Sequence, residues 1–576
     1  MFKFPVKLYL IIFSTFLFSL LAACDSKDQP KADSIYLGGT IITLEDSSPS
    51  AEAVAVKDGR IIAVGNRSDI LNFKGDKTHL INLQGKTLLP GFIDAHGHFS
   101  LVGVLAQSAN LAAPPEGVSQ NINDIIRLMK EHAASPQAKE TGWIIGMNYD
   151  DSQLASRQHP TARDLDKISS DLPVLIIHQS AHLGVVNSKG LELLGINEHS
   201  ENPPGGVIRR IAGSQQPNGV LEESILFKVA LEVIKPKSVA SLFNLIKQAQ
   251  LQYVKAGFTT VQEGRASANN IKGLVAASAA NLLDIDVVAY PGPDFFKSDD
   301  AFLKMMKTQP HNYIHHYRIG GMKLSLDGSP QGKTAWLTQP YFKPPAGKPR
   351  NYAGYAAMNP QKLSHYMQMA FANKWQLLAH SNGDAATDEY IKVLTATEKQ
   401  FPDTDIRPVL IHAQIIREDQ LDQLKKLKVI PSFMTVHTFY WGDWHRDSVL
   451  GQARAERVSP TQSALKRKLR YTAHNDAPVT LPNSIMILSS QVNRITRSGQ
   501  IIGKDQRVTV MQALKSITIN AARQYFEEKA KGSIEVGKLA DFVILDKNPL
   551  TIPSMDLNSI KIIETIKEGQ NIYRKQ

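Results

Sequence analysis

Short apolar runs alternate with stretches of helical periodicity through the middle of this 576-residue chain. The runs predicted as strands are 92–98, 259–263, 286–290, 319–326, 376–380, 408–412, 429–434 and 470–476. Strands joined through helices run parallel, because each crossover returns the chain to the same end of the sheet. The expected class is therefore α/β, and eight such units are the number that closes a (β/α)8 TIM barrel. Between the first and second runs lies a large insertion, about 99–250, with a helical pattern at 122–132 and a strand-like segment at 173–178. An insertion after the first strand leaves from the face where barrels build their substrate pockets. A last helical stretch covers 509–527.

Both ends of the chain are β-rich. Ile35-Tyr36-Leu37, Ala53-Val54-Ala55-Val56 and Arg60-Ile61-Ile62-Ala63-Val64 are separated by turn signals, and Asp58-Gly59 between the last two is a hairpin signal. Residues 532–546 and 560–573 read as the same material. A small β-sandwich built from 34–90 and 531–576 is expected, with the barrel at 91–530.

The first segment reads as a targeting element. Lys3 and Lys7 precede an apolar run at 8–21, then Ala22, Ala23 and Cys24, the only cysteine in the chain. Leu21-Ala22-Ala23-Cys24 resembles a bacterial lipobox, which implies a signal peptide at 1–23, lipidation of Cys24 and a polar tether at 24–33. The expected location is the bacterial cell envelope, lipid-anchored on the periplasmic side of the inner or outer membrane. A plain signal peptide or an N-terminal membrane anchor are the other readings. The net charge is +11, yet no run of five Lys/Arg and no basic patch with interleaved aromatics occurs. Nucleic acid is excluded as a partner on that ground.

Leu89-Pro90-Gly91-Phe92-Ile93-Asp94-Ala95-His96-Gly97-His98 ends in two histidines. Strand alternation would point His96 and His98 to one face, where two imidazoles can hold a metal such as zinc. Gly97 lets something approach the backbone. Lys323 lies inside an apolar run, His380 and His412 end two others, and Asp476 ends the last. Taken singly, a strand-end His is a hydrogen-bonded surface residue and an Asp before Ala-Pro is a turn residue. A Lys inside an apolar strand is less ordinary, since burying an ammonium is costly. Taken together, the six converge on the rim where barrel active sites form.

This order resembles the amidohydrolase superfamily, in particular amidohydrolase family 3, the N-substituted formamide deformylase-like branch. Further matching stretches are Gly142-Trp143-Ile144-Ile145-Gly146, Pro160-Thr161-Ala162-Arg163-Asp164-Leu165-Asp166, Pro203-Pro204-Gly205-Gly206-Val207-Ile208, Asp327-Gly328-Ser329 and Asp476-Ala477-Pro478-Val479. The resemblance implies one or two divalent metal ions, zinc foremost. His96 and His98 would hold one with Asp476, and His380 and His412 the second. Lys323 would bridge them as a carbamate. It implies metal-activated water, with Asp476 as general base and then general acid. It also implies that His182, His437, Tyr149 and Asp150 face the substrate. Two positions depart from the family pattern: His474-Asn475 stands where Gly-Ser is frequent, and Ile411 where an acidic residue is frequent before His412. Both are positioned to tune the pocket or the surroundings of the ligands.

The expected function is a metal-dependent amidohydrolase acting on non-peptide C–N bonds of an amide, formamide or similar small molecule. Hydrolysis of esters, lactones or phosphoesters on the same site is the alternative, since fold does not decide chemistry. A membrane-tethered binding lipoprotein with a disused site is the alternative of another class. A homo-oligomer is compatible with the sequence.

Overall fold

The computed structural model describes residues 30–345 and 347–576. The expected signal peptide, Cys24 and most of the tether lie outside the described residues.

Two sheets of parallel strands form the centre. One has the order Tyr317–Ile319, Asp286–Pro291, Phe258–Ala266, Phe92–Ile93. The other runs Gly321–Ser325, Gln376–Ser381, Val409–His412, Ile430–Phe433, Thr472–Ala473. Nearly every residue in them is buried, as expected of parallel strands covered on both faces. The α/β class follows directly.

The strand boundaries differ from the sequence reading where backbone geometry intervenes. The run expected at 319–326 is two strands broken at Gly320, the last pairing in the first sheet and the first in the second. A side chain at Gly320 would run into the Tyr290 ring and Val288, so glycine lets the chain pass from one sheet to the other. The first strand ends at Ile93 rather than His98, and His96 sits in a bend beyond it. The last is only Thr472–Ala473, so His474 and Asp476 project past its end.

Strands from both ends of the chain join one eight-stranded sheet. Thr87–Pro90 is the link: it pairs parallel with Ser34–Ile42 and antiparallel with Phe542–Leu545. Tyr36, Val54, Val56, Leu88, Phe542 and Ile566 share one buried cluster against it. The chain leaves this sheet at Pro90 and enters the first parallel strand at Phe92. Gly91 makes that step possible, because a Cβ there would strike the Thr259 side chain.

The stretch between Ile93 and Phe258 carries a fourth sheet, of six strands where sequence suggested one. Its order is Gly206–Arg210, Pro217–Glu223, Leu183–Val186, Val174–His178, Ile144–Tyr149, Ala109–Asn110. Helix Ile122–His132 packs on it and begins with a capping box between Asn121 and Asp124.

Candidate metal centre

His96, His98, Lys323, His380, His412 and Asp476 come together beyond the C-terminal ends of the parallel strands. His96 Nε2 lies 3.2 Å and His98 Nε2 3.3 Å from Asp476 Oδ1. Lys323 Nζ is 3.2 Å from His96 Nε2. His412 Nε2 is 3.1 Å from His380 Nδ1 and 3.7 Å from Asp476 Oδ2. His96, His412 and Asp476 form one of three clusters whose donor atoms converge closely enough to hold an ion.

The second nitrogen of each histidine fixes what the first can offer. His96 Nδ1 faces Gln262 Oε1 at 2.6 Å, and His98 Nδ1 faces the Gly264 carbonyl at 2.7 Å. The Gln262 amide nitrogen is engaged with the Ala95 carbonyl and the Tyr525 hydroxyl, so its oxygen is the end presented to His96. Both Nδ1 atoms therefore carry the hydrogen, and both Nε2 atoms carry lone pairs. Those lone pairs point at Asp476 Oδ1, which is buried and without a hydrogen-bond donor. The Lys323 amine donates to the His96 lone pair, but His98 Nε2 and Asp476 Oδ1 face each other with no proton between them and repel. A cation resolves that arrangement.

The charge states agree. Burial, helped by Lys323, pushes His96 down to about 4. Burial also holds His380 and His412 well below the usual imidazole value. Burial opposes ionisation of Asp476. Positive charge and donated protons at the positions of His96, His98 and His412 outweigh burial and hold the carboxyl well below its ordinary value, a part that falls to a cation when the rings are neutral. Burial lowers Lys323 to about 7. Among the described residues no carboxylate forms an ion pair with its ammonium.

Backbone strain marks the same place. His412 and Asp476 have φ of 73° and 56°, in the left-handed region. Such conformations cost about 1–3 kcal/mol each for non-glycine residues and persist where the surroundings enforce them.

A second layer holds the ligands. Asp327 accepts from the backbone N–H groups of Asn382, Gly383 and Trp336 at 3.0, 2.8 and 3.0 Å. Even so, burial lifts its carboxyl to about 7. It lies 3.5 Å from His380 Nε2, which also faces the Gly328 carbonyl at 3.2 Å. The carbonyl and the carboxylate favour hydrogen on Nε2, against the Asn382 amide nitrogen 3.1 Å away, and that tautomer puts the lone pair on Nδ1, facing His412. His474, seen in the sequence only as a departure from the family pattern, is fully buried against the ligands. Its Nε2 is 3.3 Å from His412 Nδ1, and its Nδ1 is 2.9 Å from Ser432 Oγ. Gln262 had no signal in the sequence beyond lying in a strand.

The four expected substrate contacts separate. His182 lines a cavity together with His98, Lys323, His380 and Asp476. Its Nδ1 is 2.7 Å from Glu223 Oε2. Tyr149, Asp150 and His437 do not line that cavity. Tyr149 is packed in the core of the inserted sheet, its hydroxyl 3.2 Å from His159 Nδ1. Asp150 accepts from Trp441 Nε1 at 2.6 Å and lies 3.5 Å from His178 Nε2. His437 is buried with its Nδ1 2.9 Å from His445 Nε2. Position in a motif cannot reveal that Asp150 meets Trp441 of the loop at 434–444, or that Tyr149 packs in the core of the inserted sheet.

Comparison with known proteins adds an independent observation. The sequence pattern described as "Amidohydrolase family" matches residues 79–573. "Protein LONG AFTER FAR-RED 3" of Arabidopsis thaliana is 29% identical over 559 residues, covering 94% of this chain and 92% of that protein. "N-substituted formamide deformylase" of Arthrobacter pascens is 25% identical over 558 residues, covering 94% and 98%. In fold, the chain is similar to an uncharacterized metal-dependent hydrolase from Pyrococcus horikoshii, with a TM-score of 0.71, 24% identity and coverage of 91% and 99%.

Proposed function

The chain belongs to the amidohydrolase family, and from that premise we propose that it is a metal-dependent hydrolase cleaving a non-peptide C–N bond in an amide, formamide or similar small molecule. The observation that carries the reading is the convergence of the His96 and His98 lone pairs on the donor-free Oδ1 of Asp476. The relative named as a deformylase of N-substituted formamides favours a C–N bond over an ester.

The donor set fits divalent ions. His96, His98 and Asp476 would hold one, and His380 Nδ1 with His412 Nε2 a second. Nitrogen and carboxylate donors in this mixture suit zinc. Lys323, with its amine near neutrality and no carboxylate partner, fits a carbamate that would bridge the two as an anionic oxygen ligand. When bound, such ions supply Lewis-acid activation of the scissile carbonyl and of the attacking water.

The chain's own residues supply the rest. Asp476 is ionised at neutral pH. With Oδ1 turned to the ion that it would hold with the two histidines, Oδ2 is the atom that would take the water's proton and pass it to the leaving nitrogen. His182 stands at the cavity wall with its Nδ1 donating to Glu223 behind it, so its outer nitrogen presents a lone pair that can accept from a substrate N–H. Buried ligands and apolar neighbours limit the water that reaches the reacting atoms.

The parallel strands support a (β/α)8 barrel, since Gly321–Ser325 packs against Asp286–Pro291 and Phe258–Ala266 across the gap between the two sheets. The sheet made from both chain ends supports a small β-sandwich beside it. Cys24 and the apolar run before it support an envelope lipoprotein; Cys24→Ser is expected to release the protein from membranes, and continued sedimentation with them would remove the anchor.

Purified protein is expected to contain one or two equivalents of a divalent metal and to hydrolyse N-formyl or N-acyl amines in preference to esters and phosphoesters. A preference for esters would move the reading to the alternative bond class. Absence of metal after reconstitution with metal and bicarbonate would overturn both.

A further inference from the structure

The cavity that opens on the ligand cluster is lined mostly by hydrocarbon, with Glu263, Arg265, Asn269 and Asn270 among the polar side chains on its wall besides the ligands. Its volume is about 200 Å³. His98, Lys323, His380 and Asp476 stand at one end. Its apolar wall comes mainly from three helices, Phe99–Gln107, Ser224–Val233 and Val239–Lys255, with Gly273 and Leu274 added by a fourth, Ala268–Ala279. The first contributes Leu101 and Val104. The second contributes Leu226 and Ala230, with Ile234 just past its end, at a spacing of four that lines up one helix face. The third contributes Leu245 and Ile246.

Helix Ser224–Val233 is apolar on nearly every side, interrupted by Lys228 and Glu232 alone. A helix of that kind is normally buried all round. Here Leu226, Val229 and Val233 are buried in the core, while Phe227, Ala230 and Leu231 are only half-buried and border the cavity. An apolar face turned to an internal space, and not to a neighbouring element, calls for an apolar occupant.

We propose that this cavity receives the unbranched hydrocarbon tail of the substrate, so that the enzyme acts on a neutral long-chain alkyl or acyl amide. The head-group part of this inference rests on the hydrolase reading above. Leu226 to Ile234 spans about 12 Å of helix, room for a chain on the order of ten carbons at roughly 1.3 Å of advance per C–C bond. Away from the ligand cluster two cations line the cavity, Lys235, exposed just past Ile234, and Arg265, and the neutrality of the substrate follows from Arg265. Its guanidinium is paired with Asp294 and stacked between the rings of Phe227 and Phe295, at 4.7 and 4.6 Å. It is already engaged, and a substrate carboxylate would have to break that pair.

The test uses metal-loaded enzyme, N-formyl alkylamines from ethyl to dodecyl, and 1-decanol as a non-reacting probe. Affinity is expected to rise with length by up to roughly fourfold per methylene until the cavity is filled, and calorimetry is expected to detect decanol binding but not ethanol binding. Ala230→Trp, which fills the cavity, is expected to weaken decanol binding at least tenfold. Ala230→Leu gives an intermediate loss and keeps the test decisive where the larger residue disrupts folding. Hydrolysis of short formamides with a flat length series and no decanol binding would overturn the tail site and leave the hydrolase reading standing. Decanol binding without hydrolysis of any N-formyl or N-acyl amine would support the tail site and overturn the hydrolase reading.

Discussion

His474 Nε2 lies 3.3 Å from His412 Nδ1, and this contact selects the nitrogen that His412 can offer to an ion. With hydrogen on Nδ1, His412 donates to His474 and presents the lone pair of Nε2 toward His380 and Asp476. His474 must then accept at Nε2 and donate from Nδ1 to Ser432 Oγ, 2.9 Å away. The three side chains form one ordered line of donors and acceptors behind the ligand.

His474→Ala removes that support. Metal affinity, measured by chelator competition, is expected to fall by roughly 10–100-fold, the effect ordinarily seen when the partner of a ligating histidine is lost. His474→Gln, whose amide oxygen can accept from His412, is expected to recover part of it. Unchanged affinity in His474→Ala would remove the positioning role.

Asp476→Asn keeps the size of the side chain but cannot take a proton. Turnover is expected to fall by roughly 10²–10⁴-fold, the range supplied by a positioned acid–base group. Metal content measured on the same sample separates loss of the ion from loss of proton transfer; activity within tenfold of the parent would argue against Asp476 as the base.

Gly97→Ala puts a methyl group against the Asp94 carboxylate and 2.7 Å from the Tyr253 hydroxyl. Burial already lifts Asp94 to about 7, and its Oδ2 has no hydrogen-bond partner. Neither neighbour has room to retreat, so a loss of about 1–3 kcal/mol is expected in denaturant unfolding. The approach that glycine permits is thus made by the protein's own side chains. A neutral result would mean that the turn shifts to accommodate the methyl.

Asp286→Ala tests how the end sheet is fastened to the parallel strands. Asp286 begins a central strand and pairs with Lys531 and with Lys567, the latter at 2.9 Å; Lys567 also reaches Asp541 at 3.1 Å. Burial works against the Asp286 charge, but the two lysines outweigh it and hold the carboxyl well below its ordinary value. Removing it leaves two buried ammonium groups short of a partner, and about 3–5 kcal/mol of stability is expected to go. A loss under 1 kcal/mol would show that Asp541 and Glu527 suffice.

The inserted lobe is expected to weaken in mild alkali. Burial opposes a charged His178, but hydrogen bonds and charge from Asp150 and Asp151 outweigh it and raise the imidazole to about 9. The folded state therefore binds this proton more tightly than the unfolded chain. Its contribution, on the order of a few kcal/mol, is fully present below about pH 6.5 and is lost as pH rises through about 9. Urea midpoints between pH 6 and 10 are expected to drop across that window in the parent and to stay flat in His178→Gln. The same slope in both proteins would assign it elsewhere.

What could be read from sequence follows from locality. Alternating apolar runs and helical patterns determined the α/β class, because periodicity is a property of neighbouring residues. The chain order of His96, His98, Lys323, His380, His412 and Asp476 was visible for the same reason: each ends or interrupts an apolar run. Strand limits were less visible. Gly320 splits one expected strand only because Tyr290, thirty residues earlier, occupies the space beside it.

Tertiary structure alone decided the rest. Gln262 and His474 touch the ligands through pairings between distant strands; the first carries no local mark, and the second only a departure from the family pattern that does not say what it touches. Tyr149, Asp150 and His437 occupy suggestive positions yet are not among the residues that line the cavity, since what a side chain touches depends on what packs around it. Leu226, Ala230 and Ile234 read in sequence as ordinary core. Only the placement of three helices shows that part of this face borders an internal space. The sequence by itself specified which chemical groups this protein carries and in what order. Folding decided which lone pairs face each other across 3.2 and 3.3 Å and which apolar faces were left without a neighbour, because both are relations between residues far apart in the chain.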